Sequence, residues 1–109
     1  MGTLDLVLKR KWYDMIASGE KTEEYREIKP YWVKRLTLLR YDNLLFSHRI
    51  GYQFIPFKDF THATFHLGYA KDRPSMTFAI KEIVIDEGKE EWGALPGETY
   101  FVIKLGERL

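Results

Sequence analysis

Ser18-Gly19-Glu20-Lys21-Thr22-Glu23-Glu24-Tyr25-Arg26 is the stretch that decides the fold of this chain. An upstream helical pattern ends at its glycine, which can adopt the left-handed conformation that closes a helix. A strand is expected over residues 22–28, and its alternation places Glu24 and Arg26 on one face. With Lys21 at the start of that strand, the three side chains form a compact polar set. Such a set can hold an anion, polarise a carbonyl group or form a structural ion pair.

Outward from this stretch, hydrophobic periodicity predicts short strands and two short helices. In the long strand that begins at Ser75, the apolar parity changes near Ile83, which indicates a bulge or a change of face. Five or six strands with two helices are typical of a small mixed β-barrel of the α+β class. The predicted strands are 3–8, 22–28, 43–47, 61–67, 75–86 and 99–105, and the predicted helices are 12–18 and 31–39.

The segment 41–60 has no clear period, because Gly51 and Pro56 interrupt its apolar runs. It is interpreted as a loop-rich excursion with one short strand at 43–47. Its aromatic residues, between positions 52 and 60, fit packing better than stacking on bases.

One domain accounts for residues 1–109. A length of 109 residues fits one domain and is too short for a second, and the 45% hydrophobic and 16% aromatic fractions are enough to build a core. No stretch approaches the roughly 20 apolar residues of a membrane helix. The amino terminus has no apolar run of signal-peptide length. We therefore expect a cytoplasmic protein without a membrane partner.

Charge and residue usage exclude several kinds of site. The net charge of +1 argues against a broad electrostatic attraction to nucleic acid, so such a role requires a local pocket. The sequence has no cysteine, which excludes a disulfide, a thiolate nucleophile and cysteine ligation of zinc. His62 and His66 would be about 13 Å apart along a strand, so no metal is expected. The sequence has no G-x-S-x-G elbow, which argues against serine-triad catalysis. It has no glycine-rich phosphate loop, and no cofactor is expected.

The pattern Gly19-x-Lys21-x-x-Glu24-x-Arg26 resembles the signature of the ASCH domain family, a branch of the PUA-like superfamily. The likeness covers nearly the whole chain and points to a small bacterial or phage-type subgroup. It implies a single PUA-like β-barrel. The flanking residues that carry the likeness are 8–16, Tyr31-Trp32, Arg35, Gly68-Tyr69, Trp92-Gly93 and 100–103.

The first function that this resemblance implies is binding of RNA or of a nucleotide. Lys21 and Arg26 would contact phosphate or a base edge, and an aromatic side chain would stack on a base. Lys9 begins a basic cluster that is either a solvated turn or a phosphate-contacting rim. Trp32 is either plain core or the floor of a pocket. The aromatic candidates for stacking are Trp32, Tyr69 and Trp92, whereas Trp12 is expected in the core.

The alternative function is a hydrolase that acts on a nucleoside amide of the N4-acetylcytidine type or on RNA. Glu24 would be the general base and Lys21 would stabilise charge. In the amidohydrolases of the family, a threonine nucleophile occupies the position of Glu24, and Glu82 is only a candidate for their second catalytic glutamate. The lack of a convincing nucleophile favours binding. A third hypothesis is a protein-interaction adaptor that uses the aromatic residues of 52–60.

Overall fold

The computed structural model describes residues 2–44 and 55–109. Within them the chain forms five strands, two α-helices and one 3₁₀ turn, and residues 41–44 are helical as well. In chain order these are β1 (Thr3–Leu8), α1 (Arg10–Ala17), β2 (Glu23–Glu27), α2 (Pro30–Leu36), β3 (His62–Leu67), β4 (Ser75–Glu87), the 3₁₀ turn (Glu90–Trp92) and β5 (Thr99–Arg108).

The five strands form one curled sheet in the order β1-β3-β4-β5-β2. β1 and β3 are parallel, and the other neighbouring pairs are antiparallel. β4 is long enough to pair with β3 through its first half and with β5 through its second half. The α+β class and the small barrel-like sheet with two short helices are confirmed. The sheet is half of a barrel, because β1 and β2 are its two unpaired ends.

The bend in β4 follows from its sequence. The β4–β5 register shifts between Phe78 and Ile80 and again between Ile80 and Glu82. The change of apolar parity predicted a bulge at this place, and the prediction is confirmed. Bulges let a strand turn from one part of a barrel to the next.

The core lies on the concave face of the sheet. β1 contributes three buried leucines, and α1 and α2 close the core from one side. At about 1.5–3 kcal/mol for each fully buried large apolar side chain, this cluster dominates the stability of the fold. Its fully buried members include Leu4, Leu6, Ile16, Val33, Leu36, Phe65, Phe101 and Ile103.

Several predicted elements differ from the structure. α1 begins at Arg10 instead of residue 12, so Arg10 and Lys11 of the basic cluster lie in its first turn and not in a loop, and β5 continues to Arg108 instead of ending at residue 105. The second helix ends at Leu36 instead of residue 39, because Thr37 is extended and bridges to Phe57 while the Leu38 N–H bonds to the Pro56 carbonyl. The strand predicted at 43–47 lies mostly outside the described residues. Residues 43 and 44, which are described, have helical backbone instead. Among the described residues no helix is long and apolar enough to cross a membrane.

Candidate nucleotide-binding cleft

A cleft of about 440 Å³ lies where the half-barrel is open, between β1 and β2. We call it the seam cleft. β1, β2, α1 and the loop that contains the 3₁₀ turn all line it, and Gly93 of that loop packs against Trp12 of α1. Its lining residues are Val7, Leu8, Lys9, Trp12, Lys21, Glu24, Tyr25, Arg26, Glu27, Trp92, Gly93, Leu95 and Tyr100.

The turn after α1 places Lys21 in this cleft. Gly19 has a φ of 86°, a left-handed conformation that residues with a side chain rarely adopt. Its N–H bonds to the carbonyl of Ile16, and the N–H of Lys21 bonds to that of Met15. The chain is therefore folded back over the end of the helix. The Lys21 side chain enters the cleft just before β2 begins.

Lys21, Glu24 and Arg26 form one buried ion-pair set. Nζ of Lys21 donates to Oε1 of Glu24 at 2.8 Å, and Nη2 of Arg26 donates to Oε2 at 2.5 Å. The three side chains are 2%, 7% and 18% exposed, respectively. Glu24 pairs with Ile103 of β5 and Arg26 with Phe101, so both residues lie on the same face of β2, as the alternation predicted. Two cations thus share one carboxylate, which gives the set a formal charge of +1.

Arg26 spans the opening of the barrel. Its Nη2 also donates to the carbonyl oxygen of Val7 on β1 at 3.3 Å, where no backbone ladder joins the two end strands. Its Nε is buried and has no hydrogen-bond partner among the described residues. Buried donors are nearly always paired, so an orphaned N–H in a cleft indicates an acceptor that a water or a ligand brings.

Trp12 forms the wall of the cleft that faces Lys21. Nζ of Lys21 lies 4.5 Å from the centroid of its ring, and Nζ of Lys11 lies 4.7 Å from it. A methyl group added at Gly93 would stand only 3.0 Å from the same ring. Trp12 was expected in the core. It is half-buried, lines the cleft and is held between a buried ammonium and a glycine.

Two tyrosines anchor the loop that carries Trp92. Tyr25 of β2 and Tyr100 of β5 both line the cleft and pack with ring centroids 5.8 Å apart. The Tyr25 hydroxyl accepts a bond from the N–H of Lys89 at 3.0 Å, and the Tyr100 hydroxyl accepts one from that of Leu95 at 3.0 Å. These bonds hold Trp92 at the cleft. Sequence reasoning missed both anchors, because only the long-range pairing of β2 with β5 brings them together.

The Tyr25 hydroxyl also donates to Oε1 of Glu23 at 2.9 Å. Burial raises the pKa of the Tyr25 phenol above its ordinary value, the Lys89 N–H opposes that shift, and the bond to Glu23 adds to it. The phenol therefore stays protonated, and the anchor stays intact, over the neutral pH range.

The rim of the cleft is basic. Lys9 lines the cleft directly, and Lys11 lies over the Trp12 ring. Nζ of Lys89 lies 4.4 Å from the centroid of the Trp92 ring. Ammonium groups therefore stand beside both tryptophans, where they can meet the phosphate of a ligand whose base stacks on a ring.

The structure brings together five of the predicted site residues in the seam cleft: Lys9, Lys21, Glu24, Arg26 and Trp92. Trp32 lies outside the cleft lining, where the guanidinium carbon of Arg26 is 5.1 Å from its ring centroid. Tyr69 also lies outside the lining and is 85% exposed. Its neighbour Gly68 bonds to the carbonyl of Leu8, so the Tyr69 loop adjoins the end of β1 near the cleft.

Glu82 lies on β4, where its Oε2 is 3.8 Å from Nζ of Lys104, and it does not line the cleft. In the part of the chain that the structure describes, no group of three or more histidine, aspartate or glutamate side chains is arranged to hold a metal ion. The chemistry of the cleft therefore rests on its cations, its single buried carboxylate and its aromatic rings.

Comparison of the chain with protein-family models, with curated proteins and with solved structures finds no significant match. The likeness to the ASCH family rests on the motif residues and on their flanks.

Proposed function

We propose that this chain is a PUA-like ASCH domain that binds a nucleotide, or single-stranded RNA, in the seam cleft. The observation that carries the proposal is the buried set of two cations on one carboxylate, with an unpaired Nε–H on Arg26. A buried positive charge with a free donor is stabilised by an anionic or strongly accepting ligand. A phosphate oxygen or the carbonyl of a base supplies such an acceptor.

The aromatic walls support a nucleotide over other anions. Trp12 and Trp92 both line the cleft, Trp12 half-buried and Trp92 buried. A base can stack on the Trp12 indole where the flexible, exposed Lys11 side chain moves off the ring. The volume of about 440 Å³ lies within the range of small-molecule sites. The lysines of the rim provide contacts for one or two phosphates, which agrees with the small net charge of the chain.

The geometry favours binding over hydrolysis. Each oxygen of Glu24 already accepts a bond from a cation, and a proton taken from water would leave both buried cations without their counter-charge, so a general-base role for Glu24 is disfavoured. The described residues that line the cleft include no serine, threonine or cysteine. Lys21 is almost fully buried against Trp12 and Glu24. The catalytic roles considered for Lys21 and Glu24 are therefore less well supported than a role in holding Arg26.

Tryptophan fluorescence tests this proposal directly. The chain has three tryptophans: two line the cleft and Trp32 lies against Arg26. Uridine monophosphate should quench this fluorescence saturably. Arg26→Ala should weaken binding by about 1.5–3 kcal/mol, the net contribution of a hydrogen bond to a charged group. Circular dichroism on each variant checks that the fold is retained.

Arg108→Ala is the matched control. Arg108 also lies near an aromatic ring, 5.9 Å from the centroid of Phe78, but it does not line the cleft. This variant should bind like the unaltered protein. No turnover of N4-acetylcytidine or of RNA is expected. If the protein hydrolyses either substrate and Glu24→Gln abolishes that turnover, the hydrolase function is correct and the proposed binding function is wrong. If the unaltered protein shows neither binding nor turnover, both functions are wrong.

A further inference from the structure

The outer edge of β1 carries a second arginine beside Arg26. The carbonyls of Val7 and Asp5 both point away from β3, and each accepts a bond from a guanidinium group. Arg26 bonds to Val7 at 3.3 Å, and Nη2 of Arg35 bonds to Asp5 at 2.5 Å. The two carbonyls are two residues apart, which is about 6.6 Å along a strand. Two positive groups therefore stand side by side along this edge.

Trp32 joins these two arginines. The guanidinium carbon of Arg26 is 5.1 Å from the centroid of its ring, and that of Arg35 is 5.3 Å from it. Arg26 lines the seam cleft, whereas Arg35 lies on α2 outside it. Through the shared indole, the cationic edge runs from the cleft onto the surface of α2.

Tyr31 is an exposed aromatic platform at the end of this edge. Tyr31 is 62% exposed, yet its ring is fixed edge-on against the Trp32 ring. The two ring centroids are 4.9 Å apart, and the angle between the ring planes is 87°. The Tyr31 hydroxyl accepts a bond from Nη1 of Arg35 at 3.3 Å. A ring that is already held in place loses little conformational entropy when a base stacks on it.

The charges on the two sides of the cleft favour one path for an anionic chain that leaves it. α2 itself contains two basic residues, Lys34 and Arg35, and no acidic one. Elsewhere, past Glu27, Leu95 and Tyr100, the cleft continues into a groove that Glu27, Glu98 and Lys29 line. Two carboxylates with one ammonium repel phosphate, so an anionic chain that leaves the cleft is steered towards α2.

We propose that α2 forms a second subsite and that the ligand is single-stranded nucleic acid longer than one nucleotide. The phosphate that follows the nucleotide in the cleft lies between Arg26 and Arg35, and the next base stacks on Tyr31. This inference rests on the proposed function, because the first nucleotide occupies the seam cleft. A combination of paired guanidinium groups with an exposed, fixed ring matches alternating phosphates and bases.

Calorimetric titration of the full chain with uridine monophosphate and with hexauridylate tests the second subsite. Tyr31→Ala should weaken binding of hexauridylate about fivefold or more, the lower end of what stacking one base on an aromatic ring contributes. The same variant should leave the affinity for uridine monophosphate unchanged. Tyr31→Phe keeps the ring and should bind hexauridylate like the unaltered protein. Leu38→Ala, which removes a similarly exposed side chain just after α2, is the control and should change neither affinity.

The outcomes separate the two proposals. If uridine monophosphate binds but Tyr31→Ala has no effect on hexauridylate, or weakens both ligands equally, the second subsite is wrong and the seam cleft stands. If neither ligand binds the unaltered protein, both proposals fail. If hexaglutamate binds with the same dependence on Tyr31, the α2 surface recognises acidic peptide and the nucleic-acid subsite is overturned.

Discussion

Replacing Glu24 by glutamine perturbs the centre of the seam cleft with little change of shape. The carboxylate of Glu24 lies between the Lys21 ammonium and the Arg26 guanidinium, and its side chain is 7% exposed. Glutamine has nearly the same volume but no charge, so two buried cations lose their counter-charge. Removing one partner of a buried ion pair costs about 3–5 kcal/mol. We expect about 3 kcal/mol, because the Arg26 side chain is 18% exposed and can turn towards water.

Urea denaturation measures this loss, and Glu27→Gln is its matched control. Glu27 lies on the same strand, its side chain is 64% exposed, and its carboxylate is 3.3 Å from Nζ of Lys29. An exposed pair of this kind contributes less than about 1 kcal/mol. For a chain of this length, a loss of 3 kcal/mol lowers Tm by about 12 °C. The melting temperature of the control should stay within a few degrees of the unaltered protein.

A double variant tests whether the unpaired Lys21 ammonium causes the loss of stability. Adding Lys21→Met to Glu24→Gln removes one of the two unpaired cations and should recover part of the lost stability. If Glu24→Gln is no less stable than Glu27→Gln, the ion-pair set is solvated and the account of a buried charged cluster is wrong. If the double variant is less stable than Glu24→Gln alone, the unpaired lysine is not the cause of the loss.

Four further predictions follow from the same contacts. Arg26→Lys should restore only part of the binding lost in Arg26→Ala, because an ammonium lacks the planar fork; equal titration curves for both would contradict this. Gly93→Ala should lower both stability and nucleotide affinity, since its φ is 101° and the new methyl group meets the Trp12 ring, and unchanged urea and titration curves would refute it. Burial raises the pKa of Tyr25, so its contribution to stability is complete below about pH 10 and declines above it, as urea midpoints against pH should show; Tyr25→Phe should lose that decline. The logarithm of the affinity for a short oligonucleotide should fall with the logarithm of salt concentration with a slope of about −1 to −3, whereas a much steeper slope would indicate a broad basic surface.

Local sequence patterns were sufficient for the five strands, for the two α-helices apart from their ends, and for the polar set of the cleft. Glycine at position 19 predicted the end of α1, and period-two alternation placed Glu24 and Arg26 on one face of β2. The parity change near Ile83 predicted the bulge of β4. Each of these features depends on residues that are close together in the chain, where sterics and periodicity act directly.

The assembly of the cleft depends on contacts that local patterns do not encode. The parallel pairing of β1 with β3 joins residues about sixty positions apart, and it leaves β1 and β2 as the open ends of the sheet. Trp12 fits an apolar helical stripe, so its position at the cleft could not be distinguished from a position in the core. The link from Trp32 to both arginines likewise requires α2 to lie against the outer edge of β1.

The central claim is that a nucleotide binds in the seam cleft, and nuclear magnetic resonance of the tryptophan indole N–H groups tests it most directly. The three tryptophans give three indole signals, which single substitutions by phenylalanine assign. On addition of uridine monophosphate, the account predicts large shifts for Trp12 and Trp92 and a smaller shift for Trp32, all reduced in Arg26→Ala. Signals of Trp12 and Trp92 that stay in place, while backbone amides shift only around Lys81 and Lys104 on another face, would contradict it.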